Sequence, residues 1–390
     1  MFMKKMPGTI LIFFFFSMLT RLYAISLPLY PFELSYSIYP GENKGEVENL
    51  VHVNAGVRIE TFKEAYFDCF FLGDLLFKID KNVAKEKKVK VNMLEKDVID
   101  FLAASINFPS ILGKRLSLSL FFGKYDTLGS ESILREHIKT PASASVFMQS
   151  YPANLLRPNL EVKGAGVAIY GAFLNGVYSG FYTHWNTKTN ENFLYTNDFR
   201  LGFTYSTFVF ESFMGFLATK SAKDFRLRLG SMGSVTIEDY EFFFELGLAK
   251  LQIKGINFTS VNSQFYVLFE PRIKKEKYNI ALSFFILSPS EIEKGMHLQD
   301  FSKRRFLGFN VLAGLGNLEL HKVSGGLSVL TAIDLQNIAQ ITPFTLSIAP
   351  FLTAIVKEEL EFNFRLPINP LMYNNLREAV RGEISVKAVY

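Results

Sequence analysis

The chain has 390 residues, 49 % of them hydrophobic, with 41 Phe, 17 Tyr, one Trp and one Cys. Its 42 basic residues against 37 acidic ones give a formal net charge of +5, of which Lys4, Lys5 and Arg21 belong to an apolar N-terminal segment that holds no acidic residue. The near-balance that remains argues against nucleic acid as a partner, the lone Cys69 excludes an internal disulfide, and no later apolar run approaches the ~20 residues of a membrane helix.

The first segment, MFMKKMPGTILIFFFFSMLTRLYA, has a basic start, an apolar core from Ile10 to Leu19 and a small-residue edge at Tyr23–Ala24. It predicts a cleaved secretory signal peptide over 1–24, because the apolar run is too short to span a bilayer. The mature chain then begins near Ile25, and 25–390 forms a single domain with no linker or change of composition.

From there the dominant period is two. Near the mature start, Val51, Val53, Val57 and Ile59 alternate with His52, Asn54, Arg58 and Glu60. A Lys-rich stretch from Lys81 reads as a solvated loop. Leu94 to Ser105 departs from the pattern: Leu94, Val98 and Leu102 recur every fourth residue, the spacing of a helical stripe. Alternation returns with Leu116, Leu118, Leu120 and Phe122. GAGVAIYG at Gly164 has the wrong glycine spacing for a dinucleotide loop, so Gly164 and Gly166 read as bend or close-approach positions in a strand. Phe199, Leu201 and Phe203 oppose Arg200 and Gly202, and Leu227 and Leu229 oppose Arg226 and Arg228. Further alternating runs start at Tyr278, Phe306, Phe344 and Leu360. Strict alternation over such lengths predicts strands with two unlike faces, about 14 to 18 of them.

Two all-β architectures use such strands. A soluble sandwich turns its apolar face inward, whereas a transmembrane barrel turns it to lipid. Runs near the ~9–11 residues of a membrane strand, and a second face of Gly, Ser, Asn, Thr and charge, favour a closed antiparallel transmembrane β-barrel. In that phase Arg200, Arg226, Arg228, Glu241, Glu245, Glu361 and Arg365 line the lumen. There they can select ions by charge or simply pair locally along the wall. Phe70, Leu72, Leu76, Phe243, Phe285 and Phe351 fall on the same face, which suggests an apolar path or displaced register.

The C-terminus, GEISVKAVY, places Ile384, Val386, Ala388 and Tyr390 on one face. It resembles the last strand of bacterial outer-membrane β-barrel, porin-like proteins, whose terminal aromatic is the signal read by the barrel-assembly machinery. The stretch from Ile106 to Asp126 faintly resembles outer-membrane long-chain fatty-acid transporters, although their early Asn-Pro-Ala signature is missing between Ile25 and Lys44. The resemblance implies outer-membrane location, lipids and small solutes as partners, and often a homotrimer. The function expected is passage of small solutes through the lumen. The alternatives are a plugged transporter for hydrophobic substrates such as fatty acids, and a surface-exposed adhesin or structural barrel. No His-Glu-x-x-His, Gly-x-Ser-x-Gly or Cys-x-x-Cys is present, and the five histidines have no ligand spacing. Neither an enzyme nor a metal or other cofactor is expected.

Overall fold

The computed structural model describes residues 29–40, 46–60, 66–80, 92–93, 98–108, 111, 116–129, 160–174, 176–185, 193–219, 225–254, 258–287, 305–335, 344–356, 360–372, 379–380 and 382–388, with most of their side chains from residue 104 onward. These residues form one antiparallel sheet of nineteen strands. The first half holds β1 (Leu29–Pro40), β2 (Glu46–Glu60), β3 (Tyr66–Asp80), the two-residue β4 (Asn92–Met93), β5 (Val98–Phe108), β6 (Leu116–Thr127), β7 (Glu161–Leu174), β8 (Val177–Trp185) and β9 (Phe193–Tyr205). The second holds β10 (Phe208–Thr219), β11 (Phe225–Ile237), β12 (Tyr240–Gln252), β13 (Phe265–Lys274), β14 (Tyr278–Leu287), β15 (Phe306–Leu315), β16 (Val323–Asp334), β17 (Phe344–Val356), β18 (Leu360–Arg365) and β19 (Gly382–Ala388). Two short helices, α1 (Phe258–Gln264) and α2 (Leu318–His321), lie in connections. None of the described helices is long and apolar enough to cross a membrane.

Each long strand pairs with its neighbours in sequence, and β3 skips past β4 to pair with β5. β19 lies between β18 and β1, with Phe32 in register with Ala388 and Ile38 with Gly382. Val389 and Tyr390, like the signal peptide, lie outside the described residues.

One sequence expectation is corrected. Val98–Phe108, which takes in most of the segment expected to carry a helical stripe, is strand β5, paired with β3 and β6. A four-residue spacing fits a strand's period of two as well as a helix, and β5 bulges at Leu102, where its pairing with β3 shifts from Phe70–Ala103 to Phe71–Phe101. The partner edges of β3 and β6, and β-branched Val98, Ile99 and Ile106, decide for the strand.

Connections differ between the two rims. At one rim β9–β10 turns through Ser206–Thr207 and β11–β12 through Glu238–Asp239, with φ of 52° at Ser206 and at Glu238. The β7–β8, β13–β14 and β17–β18 turns join them there, as do the start of β1 and the end of β19. The opposite rim carries the connections over 128–160, 288–305 and 366–381.

The two faces of the sheet are inverted relative to a soluble protein. Leu120, Phe122, Ile169, Phe181, Phe199, Leu201, Phe216, Phe242, Phe284, Leu307 and Leu327 are exposed on one face, Phe284 by 50 %. The other face buries Asp198, Arg200, Glu211, Arg228, Glu241, Glu245, Glu270 and Arg272. The buried face is concave, since side chains of strands far apart in the sheet meet across it.

Candidate functional site

The concave face is built from polar residues held by their neighbours across strands. Arg200 on β9 forks onto Glu211 of β10, with Nε 2.9 Å from Oε1 and Nη2 2.8 Å from Oε2. Its Nη1 reaches Asp126 on β6, three strands away, and Tyr182 on β8 donates to the same carboxylate at 3.0 Å. Two parallel N–H···O bonds to one carboxylate fix both position and angle, so the guanidinium is locked to the wall.

A second pair forms one layer away. Arg228 on β11 donates from Nε to Asp198 Oδ1 on β9 at 2.7 Å, passing over β10 at Gly215, which is in register with both residues. A Cβ on Gly215 would collide with Asp198 Oδ1 and lie 2.8 Å from Arg228 Cγ. Glycine is therefore what lets the side chain cross a whole strand. His184 Nε2 on β8 lies 3.2 Å from the other oxygen of Asp198.

A third group sits on β12 to β14. Arg272 donates to Glu270 at 2.7 Å and to Glu241 at 3.2 Å, and its guanidinium lies 5.3 Å from the Phe243 ring centroid. Lys274 reaches Glu241 at 2.8 Å, and Ser283 donates to Glu270.

Between these groups large rings lie flat on glycines. Phe213 Cζ is 2.7 Å from where a Gly230 Cβ would stand, and Tyr266 Cζ is 2.8 Å from that of Gly247. Small and large inner residues alternate there, so that the rings fill the space the glycines leave. The resulting apolar cluster runs from Phe121 and Tyr170 through Tyr178, Tyr182, Phe243 and Phe285 to Leu330 and Ala332. Gly166 is a close-approach position, since a Cβ there would lie 2.5 Å from His184 Cβ and 2.6 Å from Phe121 Cζ. Gly164, with φ 136°, is in register with Gly123, φ 94°, beside a shift in the β6–β7 pairing, as a bend requires.

The end of β6 turns into this interior. Leu128 and Leu160, which flank the β6–β7 connection, are both fully buried and joined by a 2.9 Å backbone bond. Gly129 donates its backbone N–H to Glu211 at 3.1 Å, and its Cβ position lies 2.9 Å from Phe213 Cε1 and 3.5 Å from Glu245 Oε1. Along the sheet β10 and β12 are four and six strands from β6, about 19 and 29 Å at the usual spacing. Leu128 and Gly129 therefore turn into the concavity rather than along the rim.

The residues singled out in the sequence fall into two groups. Arg200, Arg228, Glu241 and Glu245 are buried on the concave face of β9, β11 and β12, while Arg226 is half-buried near the rim with the long connections. Arg200 pairs with Glu211 one strand away and Asp126 three strands away, and Arg228 with Asp198 two strands away. Glu361 and Arg365 stand apart on β18, both half-exposed. There Thr353 of β17 donates to Asn363 at 2.7 Å, and Asn363 donates to Glu361 at 2.9 Å. Asp126, Asp198, Glu211, Glu270, Arg272 and Gly215 were missed by sequence reasoning. Their alternation was visible, but their partners come from strands whose register only the fold sets. Among the described residues no three His, Cys, Asp or Glu side chains are grouped to hold a metal ion.

No family model matches the chain, and no curated protein is similar to it in sequence. Solved structures are similar in fold. Pseudomonas aeruginosa OccK10 (OpdN) superposes with a TM-score of 0.52 at 9 % identity, over 94 % of this chain and 99 % of that one. OccK11 (OpdR) of the same organism gives 0.50 at 8 % identity, over 93 % and 95 %. The fold is porin-like. A mutant of Rh. blastica porin also aligns, over 94 % and 100 % at 8 % identity, with a TM-score of 0.45 that adds no weight. At these identities the likeness speaks to fold alone.

Proposed function

We propose that this chain is a closed transmembrane β-barrel of the bacterial outer membrane that lets small solutes pass through its lumen, with no covalent chemistry. The observation that carries the reading is the inversion of faces. Among the described side chains, Phe and Leu are exposed on the outer face of strand after strand from β6 to β18, while charged residues of β9 to β13 are buried on the concave side. Water-soluble domains do the opposite, while a lipid-facing wall requires this arrangement. Closure is supported by the place of β19 between β18 and β1, because a membrane tolerates no unpaired edge. Exposed Tyr205, Tyr240 and Tyr278 stand outward near the tight-turn rim, and Trp185 and Phe225 near the other, as interfacial girdles do.

Residues 1–24 are cleaved on export. The face of Ile384, Val386, Ala388 and Tyr390 is the address read by the assembly machinery. Lipids and small solutes are the partners, and three copies associate in the membrane. Planar-bilayer recording tests the central claim: stable single-channel steps are expected, and a folded but silent protein would refute it. The buried cluster of Phe121, Tyr266, Phe243 and Phe285 favours one other reading, a plugged transporter for hydrophobic substrates. Saturable binding of a fatty acid to a protein without conductance would select it.

A further inference from the structure

We infer that the solute path is off-axis, running along the inner face of β17 and β18, and that Glu361, Asn363, Arg365 and Thr353 set its selectivity. The inference rests on the pore reading above and adds where in the lumen passage occurs.

The inner face changes abruptly around the sheet. From β5 to β16 its described side chains are buried, apart from glycines and rim residues such as Thr204, Arg226 and Asn279. Ser119, Arg200, Glu245, Glu270, Ser283 and Asn310 are each 0 % exposed. A solute cannot touch a side chain that water does not reach. At β17 this ends. Thr345, Ser347, Phe351 and Thr353 on the same face are half-exposed, as are Glu361, Asn363 and Arg365 on β18. Ala349 alone in that row of β17 is buried, at 1 %.

The accessible residues also form an ordered lining. The chain of bonds from Thr353 through Asn363 to Glu361 orients the carboxylate, whose Oε1 accepts from the amide. Arg365 stands four residues further along the same face of β18, about 13 Å away at 3.3 Å per residue. A passing ion therefore meets a carboxylate and a guanidinium in turn, with hydroxyl and amide groups between them. Charges that line the accessible path govern ion selectivity, while buried, paired charges act on stability.

Cysteine accessibility in the intact channel tests this. In a Cys69→Ala background, Ser347→Cys and Thr353→Cys are compared with Ser234→Cys and Ser328→Cys, whose parent residues face the same interior but are buried. A cationic methanethiosulfonate reagent should cut conductance at least about twofold in the first two variants and leave the second two unchanged. Equal block at Ser234→Cys or Ser328→Cys, or no block at either β17 position in a conducting channel, overturns the inference and leaves the pore reading standing. Absence of conductance in the parent protein overturns both. Reversal potentials give a second readout. Glu361→Gln should shift preference toward anions and Arg365→Gln toward cations. A silent response from both, or a shift as large from Lys274→Gln on Glu241, would assign selectivity elsewhere.

Discussion

The inner faces of β9 to β11 and of β17 and β18 use the same residue types to opposite ends. On β9 to β11 every guanidinium that is fully buried finds a carboxylate on another strand, and Gly215 clears the space for Arg228 to reach its partner. On β18, Glu361 and Arg365 share a face with Asn363 and retain contact with water. The difference is one of context rather than composition. A charge seen in a strand pattern can meet a solute only where neighbouring strands leave it accessible; elsewhere it is held by its partners.

The contrast can be broken at several points. The largest effect is expected from Arg200→Ala, which leaves Glu211 and Asp126 buried without their cation. Chemical denaturation in micelles should show a loss of about 3–5 kcal/mol, and a loss well under that would mean the network does not hold the wall. Replacing Arg200, Glu211 and Asp126 together by apolar residues of similar volume should restore much of it. On the lipid side, Leu282→Lys in the middle of β14 should cost about 2–4 kcal/mol, whereas Phe203→Lys, close to the Ser206–Thr207 turn, should cost about 0–1 kcal/mol, as depth in the bilayer dictates. Equal costs at the two sites would contradict the placement of the rims. Gly215→Ala forces Arg228 off its crossing path and should cost about 1–3 kcal/mol by overpacking, with much less lost when Arg228→Met is already present. The smallest change in stability is expected on the accessible side: Glu361→Gln keeps a hydrogen-bond acceptor and should cost about 1 kcal/mol or less, while altering ion preference in the same preparation.

Much of this wall could be read from the sequence because strand alternation is local. Phe199, Arg200 and Leu201 disclose their faces within three residues, and the exposed Phe199 and Leu201 flank the buried Arg200 as the pattern requires. Val98 and Leu102 misled because a four-residue spacing fits two periods at once. The pairing of charges was beyond local reading. Arg200 meets Asp126 across three strands, and nothing in either sequence neighbourhood shows that β6 and β9 stand that close on the concave side. The apolar inner residues Phe243 and Phe285 were visible as exceptions to the pattern. Their role became clear only when Phe213 and Tyr266 were found laid over glycines beside them.

The register of Phe32 with Ala388 has a temporal consequence. Every other long ladder can form between neighbours in sequence as soon as both strands exist, but this one joins the two extremes of the chain. Pairings so distant are slow, because a very large loop must close before any contact compensates it. Until that ladder forms, the edges of β1 and β19 that it joins stay open to pairing with another chain.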